Sequence, residues 1–211
     1  MKETSPQYFH PHAPIMMHGT RLPHWQQMGV CYFVTWRLSD ALPHDVLVRI
    51  RQEWGAEGNE DYGSHNGQDL TGIGRRMLAA VEEHADAGYG SCLLKESELR
   101  LVLEDILKQG HGSNYHLHDY VLMPNHVHVL VSIPSISLDS IVRGWKGISA
   151  RVINRLRNQS GKLWQRGHWD RMVRDDEHFT RCKRYIRANP AKANLHPGQY
   201  SLSFNSTRKE E

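Results

Sequence analysis

Cysteine is scarce in this chain and widely scattered, with Cys31, Cys92 and Cys182 standing far apart. An odd number of cysteines with no CxxC pair excludes a disulfide framework and a zinc knuckle. Three reduced thiols in a cytosolic protein is the simpler expectation. Long apolar runs are missing too. None approaches the roughly 18 residues of a membrane-spanning helix, and the opening stretch MKETSPQYFHPHAP has no apolar core to act as a signal peptide. Neither membrane insertion nor export is expected. A glycine-rich phosphate loop of the GxxxxGK[ST] kind is absent, so nothing points to use of a nucleoside triphosphate. Internal repeats and low-complexity tracts are absent as well. What remains is an ordinary globular composition: 39% hydrophobic and 23% charged residues over 211 positions. That length suits one domain with tails or an insertion and is enough to bury a core.

The net charge is only +3, but it is unevenly distributed. Between Arg143 and Lys192 there are 14 Lys/Arg against 4 Asp/Glu, while the rest of the chain holds 12 and 19. A chain that is basic in one half and acidic in the other presents a surface for a polyanion. Solvated helix faces would account for the same charges less economically.

Residues 1–24, rich in Pro and His and without periodicity, read as an arm. Val30 to Leu38 is dense in β-branched and aromatic residues, which predicts a strand. Pro43 suits a first helical turn, and Asp45 to Trp54 reads as a short helix. Gly55 to Asp69 is polar and reads as a loop. Gly74 to Asp86 and Lys95 to Lys108 read as helices, the second with Leu99, Leu103, Ile106 and Leu107 on one stripe. Tyr115 to Leu122 and His126 to Ser132 flank Met-Pro-Asn and predict a hairpin. Leu138 to Arg157 reads as a long helix whose apolar stripe is Ile141, Trp145, Ile148, Val152 and Leu156. Lys162 to Val173 reads as extended. Asp175 and Asp176 can cap a final helix that runs to Asn189 and stops at Pro190. The alternation implies an α+β fold, a ferredoxin-like antiparallel sheet with packed helices.

Three groups of residues carry chemistry. In His126-Val127-His128, strand alternation puts both imidazoles on one face and Val127 on the other. His116-Leu117-His118 has the same spacing, so spacing alone does not make a metal site. The later pair stands within the apolar run VHVLV, where imidazole without a partner is costly, and the earlier pair reads as a partly exposed strand. In Tyr185-Ile186-Arg187-Ala188-Asn189, a phenol and a carboxamide lie one helical turn apart on one face. An amphipathic helix with Tyr at its rim would look the same. Between them runs a stretch rich in Arg and Trp. Arginines neutralise phosphates and indoles stack on unpaired bases. Arg151, Arg155, Trp164, Arg166, Trp169, Arg171, Arg174, Arg184 and Arg187 are the candidate DNA contacts. Trp164 and Trp169 read equally as packing residues, and Trp145, on the helix stripe, reads as core.

Together these features resemble the REP-associated tyrosine transposases, relatives of the small single-strand DNA transposases of insertion sequences. The matching segments are RLPHW (Arg21–Trp25), YFVTWRL (Tyr32–Leu38), MPNHVHVLV (Met123–Val131), GWKGISARVIN, LWQRGHWDRMVRD (Leu163–Asp175) and HFTRCKRYIRANPAKANL (His178–Leu195). The resemblance implies a catalytic domain over 25–195 with a variable insertion at about 55–90, followed by a tail over 196–211. It implies His126 and His128 on a central strand and Tyr185 as nucleophile on a C-terminal helix. It further implies a divalent ion, Mg²⁺ or Mn²⁺, held by His126, His128 and Asn189. The expected substrate is single-stranded DNA with REP-type palindromic hairpins, cut through a 5′-phosphotyrosine and rejoined, so the enzyme would be a DNA endonuclease and strand transferase. Such a protein is expected in the bacterial cytoplasm, at the nucleoid when bound, as monomer or homodimer. A hairpin-binding protein without catalysis, or a hydrolase that activates water, would share much of this sequence.

Overall fold

The computed structural model describes residues 6–18, 24–42, 46, 48 and 80–204. The predicted loop over 55–69, nearly all of the short helix from Asp45 and the start of the helix from Gly74 lie outside the described residues, as do Arg21 to Pro23.

The strands are β1 (Met16–His18), β2 (His24–Gln26), β3 (Cys31–Arg37), β4 (His116–Leu122), β5 (His126–Ser132), β6 (Trp169–Met172) and β7 (Ser201–Phe204). The long helices are α1 (Ser97–Gln109), α2 (Leu138–Leu156) and α3 (Asp176–Lys192), and a helical stretch covers 80–86. β1 and β2 form a small hairpin of their own. The main sheet has the order β6-β3-β5-β4-β7, and its pairings are antiparallel. Taken by chain position, its first four strands run fourth, first, third, second. α1 connects β3 to β4 and α2 connects β5 to β6, so the fold is α+β with ferredoxin-like topology. β5, which bears His126 and His128, is the central strand.

Alternation sorts the sheet into two faces. Tyr32, Val34, Trp36, Val127, Val129 and Val131 pack with Leu99, Leu103, Ile141 and Trp145 in the larger core under α1 and α2. Phe33, Val121 and Leu130 face the other way, onto Cys182 and Ile186 of α3. Val127 points into the larger core, so His126 and His128 must point toward α3.

Four readings change. The stripe of α2 consists of Leu138, Ile141, Val142, Trp145, Ser149 and Ile153, while Ile148 and Leu156 are exposed. Ser149 supplied no apolar signal, yet it is buried because Oγ donates to Trp145 O and accepts from Trp164 Nε1. Helix α3 continues through Pro190 to Lys192. A proline in the last turn loses the bond its missing N–H would have made and crowds the carbonyl four residues back, but Ala193 N and Leu195 N still bond back to Asn189 O and Pro190 O. Residues 201–204, read as tail, form edge strand β7 on β4. The arm is tied down, with Cys31 N bonded to Gln7 O and Phe9 N bonded to Val173 O.

Candidate active site

The face of the sheet under α3 carries polar groups at its far end. Along β3 the residues on this face are Phe33, Thr35 and Arg37, and the register pairs Thr35 with His128 and Arg37 with His126. These four polar side chains are buried. Asp175 starts α3 by accepting the His178 N–H at 2.6 Å. One face of that helix then carries Cys182, Tyr185, Ile186 and Asn189 onto the sheet.

Each imidazole is held by its Nδ1. His126 Nδ1 lies 2.8 Å from Asn125 Oδ1, and His128 Nδ1 lies 2.7 Å from Thr35 Oγ1. The Asn125 amide is fixed, because its Nδ2 donates to Ala85 O and Tyr89 O at 3.0 Å each. Its oxygen therefore faces His126, so Nδ1 carries the proton and Nε2 the lone pair. Burial pushes His126 down to about 3 and His128 well below the ordinary histidine range, helped by Arg37 and Lys192. Both rings are neutral at neutral pH, the form that ligates metals.

The two rings are 4.8 Å apart between centroids, and the Tyr185 ring sits edge-on to His128 at 5.2 Å. Tyr185 also packs on Phe33. Its hydroxyl is buried without a well-formed hydrogen bond. Burial and the nearby carboxylates of Glu82 and Asp86 hold its pKa far above the usual phenol value. Asn189 Nδ2 is 3.4 Å from His128 Nε2, and its Oδ1 is buried with no hydrogen-bond partner. The structure thus brings His126, His128, Tyr185 and Asn189 together within one chain.

Four further charged residues meet them. Arg37 is buried; Nη1 reaches Gln165 Oε1 at 3.5 Å, and burial lowers its pKa to about 10. Glu82 and Asp86 come from the helical stretch 80–86. Lys192, beyond Pro190, pairs with Asp86 at 2.9 Å and lies 6.0 Å from the centre of the Tyr185 ring. Alternation with Phe33 and Thr35 along β3 is the signal that could have found Arg37. The other three carry no sequence signal of their own.

The predicted DNA contacts separate. Trp164 is buried with its Nε1 on Ser149 and its ring against Trp36, so it is core and is in no position to stack on a base. Trp145 is core as expected. Trp169 and Arg171 line a cavity beside Tyr185, together with Phe33, His178 and Arg181. Arg151 and Arg155 are exposed on α2, and Arg166, Arg174 and Arg184 are exposed as well. Arg187 bonds the buried Asp119 at 3.2 Å. His118 lies outside the site, with its Nε2 on Ser132 Oγ at 2.8 Å.

Two neutral imidazoles and an unpartnered amide oxygen fit a hard divalent cation. Among the described residues no three His, Cys, Asp or Glu groups already stand as a closed metal cluster.

Residues 93–189 match the family model described as "Transposase IS200 like", a span that contains His126, His128, Tyr185 and Asn189. No curated protein matches the sequence. Among solved structures, one match is a REP-associated tyrosine transposase bound to a REP hairpin, with 13% identity over 100% of this chain and 98% of that one and a TM-score of 0.44. Another is a candidate transposase from Deinococcus radiodurans R1, with 17% identity over 82% of this chain and 98% of that one and a TM-score of 0.37.

Proposed function

We propose, with residues 93–189 forming an IS200-like transposase segment, that the protein is a tyrosine transposase that cuts and rejoins single-stranded DNA beside REP-type hairpins. The observation that carries this reading is the meeting of Tyr185, His126, His128 and Asn189 at one buried point on β5 and α3.

His126, His128 and Asn189 would hold Mg²⁺ or Mn²⁺ through two imidazole nitrogens and one amide oxygen. Bound there, such an ion supplies Lewis acidity toward a phosphate oxygen. The chain does the rest. The Tyr185 oxygen attacks phosphorus in line and forms a P–O bond, and the P–O3′ bond breaks. The leaving 3′ oxygen takes a proton from solvent, so the products are a 5′-phosphotyrosine and a strand ending in a 3′-hydroxyl. At neutral pH the phenol enters this step protonated, because burial and two carboxylates keep it so. Glu82 stands by the hydroxyl to take that proton. The buried Arg37 guanidinium is a fixed cation for the phosphate charge. An incoming 3′-hydroxyl then attacks the phosphotyrosine, rejoins the strand and returns the phenol. The linkage energy is kept in the phosphotyrosine, so no triphosphate is consumed.

The exposed arginines of α2 and α3 supply the polyanion surface, and Trp169 and Arg171 border the cavity where a nucleotide next to the cut would lie. No helix among the described residues is long and apolar enough to cross a membrane.

The test is cleavage of a hairpin-tailed single strand with and without chelator, comparing the wild type with Tyr185→Phe. Loss of cleavage under both changes with hairpin binding retained is the expected result. Unchanged cleavage by Tyr185→Phe removes the nucleophile. No cleavage by the wild type with Mn²⁺ present leaves a hairpin-binding protein.

A further inference from the structure

The Nε2 lone pair of His126 faces an Asp86 carboxylate oxygen 3.7 Å away. His126 Nε2 has no proton to give, since Asn125 Oδ1 places it on Nδ1. Two hydrogen-bond acceptors therefore confront each other in a buried pocket. Such a pair is unfavourable unless a proton or a cation lies between them. Two ligands each about 2.1 Å from a small divalent ion are at most about 4.2 Å apart, so the observed separation admits a shared ion.

We propose that Asp86 is a fourth, anionic ligand to the metal, added to His126, His128 and Asn189 by the helical stretch 80–86. This rests on the metal-site reading above and extends it. A second observation points to the same ligand: Asn189 Oδ1, on a side chain 1% exposed, is buried without a partner. Asp86 is also built into position. The Asn125 amide that fixes the tautomer of His126 donates to Ala85 O and Tyr89 O, on either side of Asp86. Lys192 holds the other carboxylate oxygen at 2.9 Å, as outer partners of metal ligands do. The resulting donor set of two nitrogens and two oxygens, one of them charged, suits Mg²⁺ or Mn²⁺ over softer ions.

Titration calorimetry of the full chain with Mn²⁺ alone tests this, using wild type, Asp86→Asn and His128→Ala. Asp86→Asn is expected to weaken Mn²⁺ by at least about 10- to 100-fold, the loss typical of removing even an outer partner of a metal ligand, and His128→Ala to lose it. Asp86→Asn with unchanged Mn²⁺ affinity, while His128→Ala loses the ion, overturns the role of Asp86 and leaves the histidine site standing. A wild type that binds no Mn²⁺ removes the metal site itself, and the inference with it. If Asp86→Asn does not fold, counting waters on wild-type-bound Mn²⁺ by oxygen-17 broadening decides. In a near-octahedral shell, two waters accord with four protein ligands, and three overturn the proposal.

Discussion

Asn189 and Tyr185 stand one turn apart on α3 and reach the same imidazole: Asn189 Nδ2 lies 3.4 Å from His128 Nε2, and the Tyr185 ring packs edge-on to it at 5.2 Å. The i, i+4 spacing of the helix and the i, i+2 spacing of β5 therefore close on one point. A residue added to or removed from either element would separate the Tyr185 phenol from His126 and His128.

Arg37 offers a test that divides stability from chemistry. Burying a guanidinium whose hydrogen bond to Gln165 is a long one is costly even with Glu82 nearby, and its lowered pKa reflects that cost. Arg37→Met is expected to leave the melting temperature unchanged or raised. It should lower the cleavage rate about 100-fold, as removal of a preorganised charge does, with hairpin affinity little affected. Thermal unfolding and single-turnover cleavage measure the two effects.

Asn125 supports two parts of the site at once. Asn125→Ala removes the acceptor for His126 Nδ1 and both bonds to the 85–89 segment. Mn²⁺ affinity is expected to fall about 10- to 100-fold, and stability by about 1–3 kcal/mol as buried groups lose partners. Calorimetry and urea unfolding check each.

Buried neutral histidines make the fold acid-sensitive. His118 is pushed down to about 3, first by burial and then by the neighbouring His116 and Lys183. Its folded pKa lies below the unfolded value of about 6.5, so the unfolded chain takes up the proton first. The contribution is fully present above about pH 6.5 and is lost as pH falls toward 3. His118→Gln is expected to flatten the decline of melting temperature over that window, and an unchanged slope would contradict this.

The arginine surface predicts a salt dependence. Each phosphate contact releases counterions, so hairpin affinity should fall steeply with salt. Replacing exposed Arg151 or Arg155 on α2 by Ala should weaken every hairpin similarly and reduce the logarithmic salt slope by about one. Fluorescence anisotropy over a salt series measures both.

Much of the fold and half of the candidate site were legible in the sequence, for definite reasons. β3, the β4–β5 hairpin and α1 announced themselves through period and turn chemistry. His126, His128, Tyr185 and Asn189 repeat at the spacing of the element that holds each pair. Asp86, Glu82 and Lys192 were not legible, because they reach the site from other stretches of chain, where a charged residue resembles any solvated one. Ile148 and Leu156 misled for the converse reason. They continue an apolar period, but the buried face of α2 follows Ser149, whose hydroxyl is hydrogen-bonded in the core. Trp164 kept the composition of a base platform, yet its Nε1 bond to Ser149 places it inside.

The most direct measurement is mass spectrometry of the full chain after incubation with a labelled hairpin-tailed single strand and Mn²⁺, followed by proteolysis. A nucleotide adduct through a 5′-phosphate is expected on the peptide containing Tyr185 and absent from Tyr185→Phe. Cleaved DNA with no covalent adduct, or an adduct on another residue, would contradict this.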